Sequence, residues 1–390
     1  MEGSGGNIME LIEDLEKLDE RVLVAKKMLK RAKSAEERIA LGNYLANLYI
    51  SIKGVSGEEL YPSTKDVFGS NKNYQKFNKK VDIYEDRMIN SYLQDKDFHK
   101  KYIGEILEFI TEPLDVYGEY EFSEDKILTK GEFFDIFYAF LDSLKMDKKD
   151  IDKLKDMDFY SYEKGFTDDF RGYLIYNPIN KNSDIFIGGF SYNIESLFTL
   201  AHEVGHAYDF LKFEEDINTY NKYFYQSFYG ETISKLFERL VVDYLVENNI
   251  YLGDSKEEVL AMEFDNYTNL IFSYIISMFD DETLKNHKQN KMSLDSIYEV
   301  IEKDFEENII DIIASRDSLD IQENYVYTYG DIISMFLKEK VKEEDFNTNM
   351  FLDFLYERGN VFDKRYLEEY DMNPKEYVKL YKKELKLLEK

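Results

Sequence analysis

Apolar residues recur at helical spacing along most of this chain, and this periodicity limits the fold more than any other feature. A repeat near 3.6 residues places apolar side chains on one face of a helix, from which they pack into a core. Apolar stripes of this kind occupy residues 11–29, 35–53, 79–95, 98–111, 131–145 and 369–389. Only four of the 390 residues are proline, so few positions would interrupt these helices. We therefore predict a mostly α-helical protein.

One segment departs from the helical pattern. Residues 172–190 read GYLIYNPINKNSDIFIGGF, with apolar, β-branched and aromatic runs at 173–176 and 185–190. The stretch between them, 177–184, is rich in the residues that form turns. Two such runs around a turn are typical of a β-hairpin. We expect one small antiparallel β-sheet in an otherwise helical fold.

Charge and composition exclude several classes of partner. The chain carries 79 acidic and 50 basic residues, a formal net charge of −29. Such a chain repels phosphate backbones and anionic lipid surfaces, so we expect no nucleic acid and no membrane as partner. The absence of cysteine excludes disulfides, thiolate metal ligands and Cys nucleophiles.

Neither a membrane span nor a signal peptide is apparent. No apolar run approaches the roughly 18 residues that cross a bilayer. The Gly-rich residues 1–6 lead into a charged helical pattern rather than an apolar segment. The expected compartment is the cytoplasm.

A metal-binding pattern follows the hairpin directly, in FSYNIESLFTLAHEVGHAYDFL. Asn193 is a suitable helix N-cap, so the segment after it should be helical. His202 and His206 are four residues apart, and a helix places both imidazoles on one side, where they can bind one tetrahedral ion. Glu203 is rotated part of the way round the helix, where it can reach a water molecule beside the metal. This is the His-Glu-x-x-His signature of zinc peptidases, with Glu203 as general base.

A third ligand is required, because catalytic zinc normally takes three protein ligands and keeps one position for water. An extended form of the motif supplies a histidine just downstream, but this chain has Asp209 and Lys212 there. A carboxylate is therefore expected. The next helical pattern, GETISKLFERLVVDYLV at 230–246, carries Glu231 and Glu238 on one face. Either could bind the metal, and the other could support a ligand.

The pieces TLAHEVGHAYD and GETISKLFE, with 24 residues between His206 and Glu231, resemble the M3 family of zinc oligopeptidases and its oligoendopeptidase F branch. The resemblance is strong over 185–245 and extends over about 130–340. It implies a zincin-type helical metallopeptidase fold with the small antiparallel sheet beside the HExxH helix. It also implies Glu231 as the third zinc ligand, with Ser234 and Glu238 at the places where the family has Ser or Thr and then Glu.

A tyrosine-rich segment further on also matches this family. The resemblance of NYVYTYGD, residues 324–331, implies that Tyr327 donates a hydrogen bond to the oxyanion. The alternative is that these aromatics only pack in the core. The chain departs from the family in two ways. Residues 316–323, RDSLDIQE, lack the histidine and the aromatic residue that the family has there. The N-terminal part is also shorter than in full-length members of the family.

The polar, non-periodic stretch at 118–131 suggests a domain boundary. We expect an N-terminal helical region at 1–125 and a zinc metallopeptidase catalytic domain at 126–390.

The predicted function is zinc-dependent hydrolysis of peptide bonds in short, unfolded peptides, as by an oligoendopeptidase. Asp209 or Glu238 would orient a zinc histidine, and Gly188 and Gly189 would let an extended peptide approach a strand edge. Two alternatives stay open: an exopeptidase, and a catalytically impaired peptide-binding protein that retains the zinc site.

Overall fold

The structure is a computed structural model that describes the chain in several separate segments. The described residues are 5–33, 37–38, 41–42, 44–49, 72, 75–76, 79, 90–110, 126–162, 172–177, 179, 182–188, 192–212, 231–279, 321–342 and 364–386. The predicted boundary at 118–131 lies largely outside them.

The described elements are mostly helices. In chain order, the helices are α1 (Gly5–Arg31), α2 (Lys96–Leu107), α3 (Lys130–Ser143), α4 (Lys148–Lys155), α5 (Ile194–Lys212), α6 (Glu231–Glu247), α7 (Leu252–Met278), α8 (Ile321–Lys340), α9 (Arg365–Glu369) and α10 (Pro374–Leu385). The strands are β1 (Asp158–Tyr162), β2 (Gly172–Asn177) and β3 (Asn182–Gly188). The prediction of a mostly α-helical chain with one small sheet is confirmed.

The chain forms two compact units. The first contains residues 1–81 and 126–224, and the second contains 82–125 and 225–390. These units reflect compactness alone, so the division into a helical region at 1–125 and a catalytic domain at 126–390 stays a prediction.

The sheet of the first unit contains the predicted hairpin and one further strand. Strands β2 and β3 pair antiparallel, from Gly172 opposite Ile187 to Asn177 opposite Asn182. The expectation of a purely antiparallel sheet is wrong in one respect, because β1 pairs parallel with β3 in the order β1-β3-β2. A hairpin is signalled by its own turn, whereas no local turn marks a parallel partner.

Helix α1 is attached to this sheet through Arg21. Its guanidinium contacts the carboxylates of Asp158 and Asp184, which lie opposite each other on β1 and β3. The Tyr44 hydroxyl donates to Asp184 Oδ2 at 3.1 Å. Burial raises the pKa of Asp184, and Arg21 opposes that shift by stabilising the charged form. The start of the chain therefore belongs to the same unit as the sheet.

Helix α5 packs against β2 and β3. Its core face contains Ile194, Leu197, Ala201 and Tyr208, all no more than 2% exposed. This packing places the HExxH helix beside the sheet.

In the second unit, α6 packs on α8, α8 on α7, and α2 and α10 complete the bundle. The fully buried Arg239 of α6 contacts Glu263 of α7, Asp331 of α8 and Glu384 of α10. Four helices are thus joined by one guanidinium.

Within the described residues, no helix is both long enough and apolar enough to cross a bilayer.

Candidate metal centre

Helix α5 begins directly after Asn193, which caps its first turn. The Ser196 N–H donates to Oδ1 of Asn193 at 2.9 Å, and the Leu197 N–H donates to the Asn193 carbonyl at 3.1 Å. Asn193 is therefore the predicted N-cap. The helix continues through the whole motif to Lys212. Because residues four apart lie on the same side of a helix, His202 and His206 face the same way.

The imidazoles of His202 and His206 converge. Their Nε2 atoms are 3.1 Å apart, and the rings meet edge to face with centroids 4.8 Å apart. Two nitrogens bound to one tetrahedral zinc at 2.0–2.1 Å would be separated by about 3.3–3.4 Å. Both side chains are half-buried, so they remain accessible. The pair therefore fits two ligands of a single ion.

Glu203 lies on a different face of the helix from the histidines. Its side chain is only 5% exposed and lies against Gly172, the first residue of β2. The carboxylate is therefore packed between the helix and the strand. Sequence reasoning missed Gly172, whose only signal was a glycine at the start of a predicted strand.

Glu231 is the first residue of α6, where the helix dipole favours a negative charge. The Ser234 hydroxyl lies 2.7 Å from Oε2 of Glu231 and 3.0 Å from its carbonyl oxygen. Ser234 is fully buried, whereas Glu231 is half-buried. The Glu231 carboxylate is held by a neighbour one turn along the helix.

Glu238 has a different partner. Its Oε2 accepts a hydrogen bond from Nζ of Lys235 at 3.0 Å. Burial works to lower the pKa of Lys235, but Glu238 and Asp331 together raise it above its usual value. Lys235 therefore stays charged and neutralises Glu238. The two candidate carboxylates therefore differ in the charge of their hydrogen-bond partner. Glu231 accepts from the neutral hydroxyl of Ser234, and Glu238 accepts from the ammonium of Lys235.

The tyrosine-rich segment lies on α8, and its three tyrosines have different surroundings. Tyr325 and Tyr329 are buried, and their hydroxyls contact the Ser273 carbonyl and Nδ1 of His99 respectively. Tyr327 is half-buried, and the Lys235 ammonium lies 5.7 Å from the centre of its ring. Of these three, Tyr327 has the most accessible side chain.

Close packing of α6 and α8 places Tyr327 on the side of Glu231. A Cβ atom on Gly330 would lie 2.7 Å from Cβ of Glu231, so the helices touch at this glycine. Residues three apart share a face of a helix, and Tyr327 is three before Gly330. Tyr327 therefore lies on the face of α8 that meets the start of α6.

The remaining predicted positions are Gly188, Gly189 and residues 316–323. Gly188 belongs to β3, the central strand, and pairs with Tyr162 of β1. The pairing of β3 with β2 ends at Ile187 opposite Gly172, so the expectation that Gly188 borders a strand edge stays a prediction. Residues 316–320 and Gly189 lie outside the described residues.

The chain is similar to two solved peptidase structures. A proposed peptidase from Chlamydophila abortus has 16% identity and a TM-score of 0.45, over 96% of this chain and 63% of that one. PZ peptidase A with an inhibitor has 12% identity and a TM-score of 0.44, over 91% of this chain and 64% of that one. The chain thus spans less than two thirds of the length of either, and similarity at this level assigns no activity to it.

No family model and no curated protein matches the chain. Membership of the M3 family stays a prediction from the motifs.

Proposed function

We propose that this chain is a zinc-dependent peptidase that cleaves short, unfolded peptides, with His202, His206 and Glu231 as metal ligands. Two imidazoles and a carboxylate are a donor set that could hold a metal ion, and catalytic zinc commonly uses it. The observation that carries the proposal is the 3.1 Å separation of the two histidine Nε2 atoms. That separation suits one shared ion.

His202, His206 and Glu231 would hold the zinc, which when bound would supply a Lewis acid that polarises a peptide carbonyl and makes a water molecule more acidic. Glu203 takes the proton from the attacking water and passes it to the nitrogen of the leaving amine. Tyr327 donates a hydrogen bond to the carbonyl oxygen as that atom becomes negative, an interaction that can contribute about 3 kcal/mol. Ser234 keeps the Glu231 carboxylate in one orientation.

Strand β2 supports a preference for extended peptides. Within the described residues, β2 pairs on one side only, with β3. A peptide in an extended conformation can add to such an edge through main-chain hydrogen bonds. Most backbone groups of a folded protein are already hydrogen-bonded within its own helices and sheets, so short, unfolded peptides are the proposed substrates.

The test combines metal content with cleavage of a mixed library of end-blocked peptides. We expect one zinc per chain and cleavage of internal bonds by the wild type. The variant Glu203→Gln should keep its zinc and lose about 10²–10⁴-fold in kcat. Glu195→Gln is the matched control, because it makes the same change two turns earlier on the same helix.

Each contrary result has a defined meaning. Cleavage only of peptides with a free terminus would favour the exopeptidase. Zinc without cleavage would favour the peptide-binding protein. Protein without bound zinc, even after incubation with the ion, would overturn the ligand assignment.

A further inference from the structure

Gly172 and Glu203 occupy neighbouring space in the first unit. A Cβ atom built on Gly172 would lie 2.8 Å from Oε1 and 3.1 Å from Cγ of Glu203, and 2.9 Å from Cγ2 of Thr199. Cβ atoms in proteins essentially never lie within 3.0 Å of another non-bonded heavy atom. The Glu203 side chain therefore fills the volume that any larger residue at 172 would require.

The backbone itself does not demand glycine at this position. Gly172 is paired with Ile187 in the β2–β3 ladder, and its φ lies outside the positive range that favours glycine. Any residue could adopt this strand conformation. The requirement at 172 is therefore for space beside α5 and not for conformational freedom.

The neighbours of Gly172 have little freedom to move. The Thr199 hydroxyl donates to the Glu195 carbonyl at 3.2 Å, which favours a rotamer that directs its methyl group at β2. The Glu203 carboxylate is the flexible end of its side chain, so it would yield first. Because Glu203 is 5% exposed, it would have to swing within a packed environment.

We propose that Gly172 is a positioning residue for Glu203, leaving the volume in which the carboxylate is held. This inference rests on the proposed role of Glu203 as general base. A methyl group at 172 would displace the carboxylate on the order of 1 Å, and a displacement of that size can cost about 100-fold in rate. The metal ligands are separate side chains, so zinc binding should persist.

The experiment compares Gly172→Ala with Gly131→Ala, since a Cβ on Gly131 would meet nothing within 4 Å. We expect Gly172→Ala to lower kcat about 100-fold with KM and zinc content nearly unchanged. Gly131→Ala should keep wild-type kcat. In a Glu203→Gln background, Gly172→Ala should cost almost nothing more in kcat, because both changes act on one group.

A stability measurement tests the same contact without relying on activity. Gly172→Ala should lower the unfolding temperature, and Glu203→Ala should restore part of that loss by making room. The gain in unfolding temperature from Glu203→Ala can be measured even if Gly172→Ala alone folds poorly. Equal unfolding temperatures and equal kcat for Gly172→Ala and Gly131→Ala would overturn the inference while leaving Glu203 as base. Near-normal turnover of Glu203→Gln would instead overturn the proposed function, whatever the stability arm showed.

Discussion

The Ser234 hydroxyl lies 2.7 Å from Oε2 of Glu231, within the first turn of α6. This hydrogen bond favours one orientation of the Glu231 carboxylate. Groups that orient a metal ligand in this way typically contribute 10–100-fold to metal affinity.

We therefore predict that Ser234→Ala weakens zinc binding about 10–100-fold, measured by competition with a chelating dye. The matched control is Ser277→Ala, since Ser277 is also buried and its hydroxyl also contacts a carbonyl one turn earlier. That control should bind zinc as the wild type does. Equal affinities for both variants would remove the orienting role of Ser234.

Glu231 and Glu238 should differ strongly as metal ligands. Glu231→Gln removes a charged donor, so we expect a loss of zinc affinity greater than about 100-fold, beyond the range for supporting residues. Glu238→Gln leaves the ligands intact and mainly affects Lys235, its hydrogen-bond partner. The reverse order of affinities would identify Glu238 as the ligand.

Tyr327→Phe should lower kcat about 10²–10³-fold with zinc content and KM nearly unchanged, because the hydroxyl is required only when the oxyanion forms. Steady-state kinetics on an end-blocked peptide measure this. Tyr329→Phe is the comparison, since the Tyr329 hydroxyl contacts His99 inside the bundle. Tyr329→Phe should lower the free energy of unfolding by about 1 kcal/mol. A Tyr327→Phe enzyme with wild-type kcat would assign this tyrosine to packing.

His99 should make the protein less stable in acid. Burial lowers the pKa of His99 to about 3, whereas the unfolded chain has the ordinary value near 6.5. Between these two values the unfolded state binds more protons, so the free energy of unfolding falls as the pH falls. The contribution from this one group approaches about 1.4 kcal/mol per pH unit.

Urea unfolding of wild type and His99→Asn between pH 6.5 and 4 measures that contribution. Asparagine keeps polar atoms near Nδ1 but does not titrate in this range. The wild type should show the steeper dependence on pH. Parallel curves for the two proteins would mean that His99 has the same pKa in the folded and unfolded states.

Arg239 is a fully buried charge of the second unit. Burial raises the pKa of Glu263 well above its usual value, although Arg239 opposes the shift. Removing the guanidinium would leave Glu263, Asp331 and Glu384 without their shared partner. We predict that Arg239→Met lowers the free energy of unfolding by about 3–5 kcal/mol, measured with urea.

Lys342→Met is the exposed counterpart of this change. Lys342 is 45% exposed and pairs with Asp243, so we expect a loss below about 1 kcal/mol. Similar losses for the two variants would contradict a structural role for the buried cluster.

Features defined by local spacing could be predicted from the sequence. The cap at Asn193, the helix that follows it and the shared side of His202 and His206 depend on residues within two turns. The hairpin was equally local, because the turn between β2 and β3 brings its strands together. A helix or a hairpin has a fixed period, so the printed spacing already determines which side chains face the same way.

Tertiary structure alone decided the remaining relationships. Arg239 meets partners 24, 92 and 145 residues away, and nothing in its own segment marks them. Strand β1 joined the sheet in parallel, and Gly172 proved to lie under Glu203. These contacts depend on how separate helices and strands pack against one another. Periodicity fixes which face of an element is apolar, but it does not fix which element will cover that face.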